Sequence, residues 1–152
     1  DEGIELLDST LFSQSSMPGP GVLGKHKPSK DILEDIEFGF EMAKQISSLD
    51  IGQTVIVKNK AVLAVEAIEG TDLAIKRGAN RGKGKIVAVK VAKPNQDMRF
   101  DVPAVGLDTL HSMKKADAKV LAIESEKCII VDKEKFINEA NKAGIAIVGI
   151  KK

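Results

Sequence analysis

The segment Lys93-Pro94-Asn95-Gln96-Asp97-Met98-Arg99-Phe100-Asp101-Val102-Pro103 crowds two carboxylates, two cations and two side-chain amides into a stretch bracketed by prolines at its second and last positions. That is the composition a diphosphate site needs, with acids to hold a divalent ion or activate water and cations to offset charge on phosphoryl oxygens. An ordinary charged loop could carry the same letters. The prolines restrict the backbone and no Gly or Ser filler loosens it, which tilts the reading towards function.

A second acidic group lies upstream, in Glu66-Ala67-Ile68-Glu69-Gly70-Thr71-Asp72. Glu66, Glu69 and Asp72 follow a predicted strand, at the end where open α/β sheets bind ligands, and oxygen ligands there would suit magnesium. A structural reading is equally well supported. Asp72 would complement the dipole of the helix that begins beside it, with Glu66 and Glu69 solvated.

Other motifs are weaker. Gly19-Pro20-Gly21-Val22-Leu23-Gly24 has the letters of a dinucleotide fingerprint, but it neither follows a strand directly nor opens a helix, so it reads as a flexible or substrate-facing loop. Gly78-Ala79-Asn80-Arg81-Gly82-Lys83-Gly84-Lys85 is glycine-rich and basic without matching a phosphate-binding P-loop, and reads as a solvated connection or a mobile lid. His26 and His111 are remote in sequence and specify no metal site. Cys128, the only cysteine, sits in the apolar run Cys128-Ile129-Ile130-Val131, where an inert buried thiol is expected. None of the His, Cys or Ser residues forms a recognisable nucleophilic triad.

Composition narrows the function classes. The 23 basic residues nearly cancel the 22 acidic ones, and Trp and Tyr are absent, so neither a steering field nor base-stacking rings favour a nucleic-acid partner. A lone cysteine excludes an intrachain disulfide and fits a reducing compartment. No apolar run approaches the ~20 residues that cross a bilayer, so any membrane contact is expected to be peripheral. The chain opens on Asp1 rather than Met, as a piece of a longer protein would.

The elements that must position these residues are legible from periodicity. Residues 1–28 read as a short strand-like piece, Ile4–Leu7, followed by a Pro- and Gly-rich linker. Ile32, Leu33, Ile36, Phe40, Ala43 and Ile46 recur at helical spacing behind Ser29, predicting a helix over 29–48. Two β-branched runs, 54–58 and 61–65, flank Asn59-Lys60 as a hairpin. A short helix is expected from Thr71 to about Arg77, ended by Gly78, then a strand over 85–91. Helices at 106–115 and 133–143 and strands near 119–124, 127–131 and 145–150 complete the chain. Hairpin joins beside strand–helix–strand crossovers predict one α/β layered domain at 29–152, with a mixed, partly antiparallel sheet flanked by helices.

Taken in order, Gly21-Val22-Leu23-Gly24, Asp50-Ile51-Gly52-Gln53, Val65 to Asp72, Lys93 to Pro103 and Val105-Gly106 resemble the UDP-2,3-diacylglucosamine pyrophosphatase family of lipid A biosynthesis, of the non-calcineurin-like type. The similarity runs over nearly the whole chain, and the closing Ile147-Val148-Gly149-Ile150 resembles the family's last strand. The resemblance implies magnesium-dependent hydrolysis of UDP-2,3-diacylglucosamine to UMP and 2,3-diacylglucosamine 1-phosphate, in the cytoplasm and peripheral to the bacterial inner membrane. It also implies a preceding α/β domain, of which residues 1–20 would be the tail, with the substrate held between the halves and this piece folded but inactive alone. A homodimer is compatible with it. Carried over by position, Asp97 and Asp101 are the expected catalytic carboxylates. Lys93, Gln96, Arg99 and Thr71 are expected to contact substrate, and Asp97, Glu66, Glu69 and Asp72 to hold the metal. The acyl chains would need an apolar groove, lined by exposed faces of the 29–48 or 106–115 helices, whereas Phe38 and Phe40 are expected in the core. A noncatalytic domain that binds a nucleotide sugar or lipid, and a plain interaction module, are the competing readings.

Overall fold

The structure is a computed structural model that describes residues 13–152. The expected strand at 4–7 lies outside them. After a 3-10 turn at Gln14–Ser16 come β1 (Gly21–Val22), α1 (Lys30–Ser48), β2 (Thr54–Lys58), β3 (Ala61–Val65), α2 (Thr71–Gly82), β4 (Val87–Lys90) and β5 (Ala104–Val105). The chain continues through α3 (Leu107–Lys115), β6 (Val120–Glu124), β7 (Ile129–Ile130), α4 (Lys133–Ala143) and β8 (Ala146–Ile150).

Six strands form one mixed sheet in the order β1-β8-β6-β4-β2-β3. β4, β6 and β8 are parallel and joined by helical crossovers, while β1, β2 and β3 pair antiparallel, as the interleaved pattern predicts. Side chains alternate across it. Val55, Val57, Val87, Val89, Val120 and Ala122 pack on Ile36, Phe40 and Ala43 of α1. Ile56, Ile86, Ala88, Leu121, Ile123 and Ile147 pack on Ile75 of α2, Met113 of α3 and Phe136 of α4. The result is three layers, with α1 alone on one face. Phe40 is buried and Phe38 half-buried against the same cluster, as expected.

The hairpin turns through Asn59 and Lys60, both at positive φ, and the buried Asp35 carboxylate accepts from their amides at 2.9 and 2.6 Å. That pairing explains why a turn lacking glycine still closes.

Three expectations are corrected. Gly78 does not end α2, which continues to Gly82; a Cβ at Gly78 would overlap Ile56, so this glycine serves close helix-to-sheet packing. The expected glycine-rich loop is therefore mostly helical. Its remainder, Lys83 to Lys85, is fastened by Lys58 Nζ donating to the Gly82 and Gly84 carbonyls at 2.6 and 3.0 Å, at the edge where β4 begins. It is not a lid over the edge where β4 ends. Next, the segment around Gly21 is built into the sheet, with Gly21 opposite Gly149 and Val22 opposite Val148. Lys133 Nζ donates to the Met17 carbonyl at 2.6 Å, and the Lys25 amide donates to Asn141 Oδ1 at 2.8 Å. Finally, β7 leaves the main sheet and pairs with β5 in a parallel two-stranded ribbon.

Candidate functional site

The parallel strands end together at one edge of the sheet. β4 ends at Lys90, which lies opposite Thr54 at the start of β2. β3 runs out at the same edge into Glu66, whose amide donates to the Thr54 carbonyl at 2.8 Å. Both acidic segments therefore leave from this edge, where open sheets place their ligands.

The short stretch between α1 and β2 joins them. Gly52 lies so close to Glu66 that a Cβ would overlap the Glu66 carbonyl oxygen. On its other side Asp50 pairs with Lys93, and Gln53 Nε2 donates to Gln96 Oε1 at 2.7 Å. Residues 50–54 thus touch the 66–71 turn and the 93–101 loop at once.

Within the loop, Gln96 is the organiser. Its oxygen also accepts from the Lys93 amide at 3.2 Å, and its Nε2 donates to the Asp101 carbonyl and Oδ2 at 2.7 and 2.9 Å. Arg99 grips Asp97 through both oxygens, at 2.9 and 2.8 Å, and stands 5.4 Å from the Phe100 ring centroid. The Arg99 side chain, and then its amide, hold the Asp97 carboxyl down at about 2. Asp97 is consequently an anion throughout the physiological range, and too weak a base to serve as a proton acceptor tuned near neutrality. Asp50 beside Lys93 holds that ammonium above its ordinary range.

Behind the loop lies a buried polar group. Thr71 donates to Glu66 Oε1 at 2.8 Å and accepts from Lys90 Nζ at 2.8 Å. Lys90 Nζ also reaches Thr54 Oγ1 at 3.5 Å and stands 3.9 Å from Glu66 Oε2, a buried oxygen with no hydrogen-bond partner among the described residues. One strand over, Glu124 accepts from the Ala92 amide at 2.9 Å and from Lys44 Nζ at 3.1 Å, and pairs with Lys127.

The predicted residues are not all gathered. Glu66, Thr71, Lys93, Gln96 and Asp101 are tied to the edge through 50–54, and Asp97 and Arg99 belong to the same loop. Glu69 instead pairs with Arg77, which also donates to the Val65 carbonyl at 2.6 Å. Asp72 lines a groove of about 370 Å³ between α2 and α3 with Lys76, Ser112 and Lys115, and its buried Oδ1 has no partner among the described residues. Among those residues no three His, Cys, Asp or Glu side chains converge into a metal-holding group.

A family model, described as the LpxI C-terminal domain, matches residues 19–148. The chain belongs to the LpxI C-terminal domain family. It is 36% identical over 158 aligned positions to the Caulobacter vibrioides protein named UDP-2,3-diacylglucosamine pyrophosphatase LpxI. The match takes in 98% of this chain and 56% of that relative, so the chain spans little more than half the relative's length.

Lys90, Glu124 and Lys44 were not among the expected site residues. The first two carry a signal. Val87-Ala88-Val89 and Val120-Leu121-Ala122-Ile123 are apolar throughout, and a charged residue ends each run at the ligand-binding end of a parallel strand. Lys44 has none, because its role depends on where α1 lies against the sheet.

Proposed function

We propose that this chain supplies the carboxylates and cations of a UDP-2,3-diacylglucosamine pyrophosphatase. Acting with a counterpart of the part of the relative it does not cover, it hydrolyses UDP-2,3-diacylglucosamine to UMP and 2,3-diacylglucosamine 1-phosphate in lipid A synthesis. One observation carries the reading. In a chain 36% identical to a protein of that name, residues 50–54 hold the 66–71 turn and the 93–101 loop to one strand edge.

The residues divide the work by their chemistry. Arg99 presents a planar fork matched to phosphoryl oxygens, and its pair with Asp97 is half-exposed, the kind that water and ligands exchange readily. On substrate binding Arg99 turns to the diphosphate and leaves Asp97 open to a cation. Lys93, also half-exposed, neutralises a second phosphoryl oxygen. Asp101, oriented by Gln96, positions the water.

Magnesium fits this donor set in the manner usual for it, with one or two protein carboxylates and the remaining positions left to substrate phosphate and water. Asp97 would hold it, and the ion would stabilise charge on the departing phosphate. Glu66 and Glu69 already have Lys90 and Arg77 beside them, so neither is the first choice as a ligand.

The acyl chains would meet exposed apolar side chains at this edge, Leu49, Ile51, Ile68 and Phe100, rather than the α1 face, which is spent on the core. No described helix is long and apolar enough to cross a membrane. From the lipid A role proposed above, and not from that absence, we place the enzyme in the cytoplasm, peripheral to the bacterial inner membrane.

The test is UMP release from UDP-2,3-diacylglucosamine by the chain together with whatever precedes it in its native protein. Release that stops with chelator and returns with magnesium supports the reading. Retained lipid without turnover, in the presence of magnesium, would replace it with a noncatalytic binding role.

A further inference from the structure

We propose that Lys90 is a positioning residue for the reaction, one that sets the 66–71 turn in register with the 93–101 loop. The inference rests on the hydrolase reading above and adds a residue to it.

Lys90 closes a strand whose residues are all buried, and its own side chain is only 7% exposed. A buried ammonium is costly unless its donors are used and its charge is met. Here the donors go to hydroxyls, Thr71 Oγ1 at 2.8 Å and Thr54 Oγ1 at 3.5 Å, while Glu66 Oε2 stands off at 3.9 Å. Thr71 passes the connection on, because its own hydroxyl proton goes to Glu66 Oε1 at 2.8 Å. One ammonium therefore fixes both ends of the turn that runs from Glu66 through Gly70, at positive φ, to the first residue of α2.

The location runs against local electrostatics. The N-terminus of a helix carries partial positive charge and favours anions, yet a lysine is bonded to the first residue of α2. Places where a local rule is broken in this way are expected at functional or strained sites. The strand supplies the function. Two residues beyond Lys90, the Ala92 amide is held by Glu124 and the Ala92 carbonyl by Lys44, and Lys93 then opens the loop that carries Asp97, Arg99 and Asp101. Lys90 is thus the point at which the acidic turn is fastened to the strand that delivers the loop. It acts through Thr71 and Glu66, without itself touching the reacting atoms.

Lys90→Met should reduce kcat for UMP release by about 100-fold, the scale of a misplacement of about 1 Å, with KM changed less than about threefold. Lys90→Arg keeps a charged donor and should recover to within about tenfold of wild type. Thr71→Val breaks the same relay from its other side while leaving Lys90 the Thr54 hydroxyl and the Glu66 carboxylate, so it tests the idea should Lys90→Met not fold. Hydrogen exchange gives a second readout, independent of turnover. Amides of 66–72 should exchange faster in Lys90→Met and Thr71→Val, while those of β6 and β8 stay protected.

Wild-type kcat in a folded Lys90→Met or Thr71→Val protein, or 66–72 exchange unchanged in both variants, overturns the positioning role and leaves the hydrolase reading standing. An inactive wild type removes the hydrolase and the positioning role with it, while faster exchange in the variants would still show the turn to be fastened by Lys90. Equal losses in kcat and in the protection of all strands would reduce Lys90 to a general stabiliser.

Discussion

Gly52 packs against Glu66 so closely that a single added carbon would collide with the Glu66 carbonyl oxygen. Through that contact the segment entering β2 sets the height of the acidic turn. Gly52→Ala must push the two segments apart, and overpacking of this kind destabilises by roughly 1–3 kcal/mol. A urea midpoint lowered accordingly, with UMP release falling further than the folded fraction, is the expected outcome. An alanine variant as stable and active as wild type would mean that the approach is not needed.

The Asp97–Arg99 pair has a pH signature. The folded carboxyl is depressed to about 2, so the pair's contribution is fully present above the ordinary carboxylate range near 4 and is lost as pH falls through about 2. Carbon-detected NMR should find the Asp97 midpoint near 2 in wild type and raised in Arg99→Met, though still below the ordinary carboxylate value because the amide of residue 99 remains. Equal midpoints in the two proteins would show that Arg99 is not its partner in solution.

Gly78 offers a test of sign. In an exposed helix interior, Gly→Ala gains about 1 kcal/mol from propensity alone. Here the new methyl would overlap Ile56 in the core, so Gly78→Ala should lower stability by roughly 1–3 kcal/mol in urea unfolding. A stabilised variant would place α2 farther from the sheet than the structure has it.

Burial pushes the Cys128 thiol up to about 12, well above an ordinary thiol. A raised folded value leaves stability whole below about 8.5, where the unfolded thiol titrates, and erodes it as pH climbs towards 12. Thiol reagents at pH 8 should label Cys128 only at the rate of unfolding. Stoichiometric labelling of the native protein within minutes would contradict its burial.

Much of the architecture was legible because it rests on periodicity. The α1 stripe, the hairpin and the alternation of strands with helices all follow from where apolar residues recur, and each appears where it was expected. The misreadings arose where tertiary contact overrides a local rule. Gly78 has the letter of a helix stop, yet its lack of a side chain is used against Ile56. The glycine-rich, basic stretch after it reads as a solvated connection or a mobile lid, but it is mostly helical, and the Gly82 and Gly84 carbonyls accept from Lys58 at the opposite edge. The same limit applies at the site. Composition picked out 93–101 and 66–72 and could not reveal that Glu69 turns to Arg77, because an ion pair eight residues apart across a turn depends on the exit angle of α2. Nor could it rank Lys90, whose weight comes from burial and from hydroxyls contributed by two other elements.

On the function proposed above, the 93–101 loop is the seat of diphosphate hydrolysis, with Asp97 at its centre. The most direct measurement is UMP release from UDP-2,3-diacylglucosamine by Asp97→Asn, in the protein carrying its native preceding sequence, at saturating magnesium and substrate. The substitution keeps shape and removes the negative charge proposed to hold the cation, so kcat should fall by about 1,000-fold, the scale for losing one electrostatic contribution to the transition state. An Asp97→Asn protein that releases UMP within twofold of the wild-type rate would contradict the account.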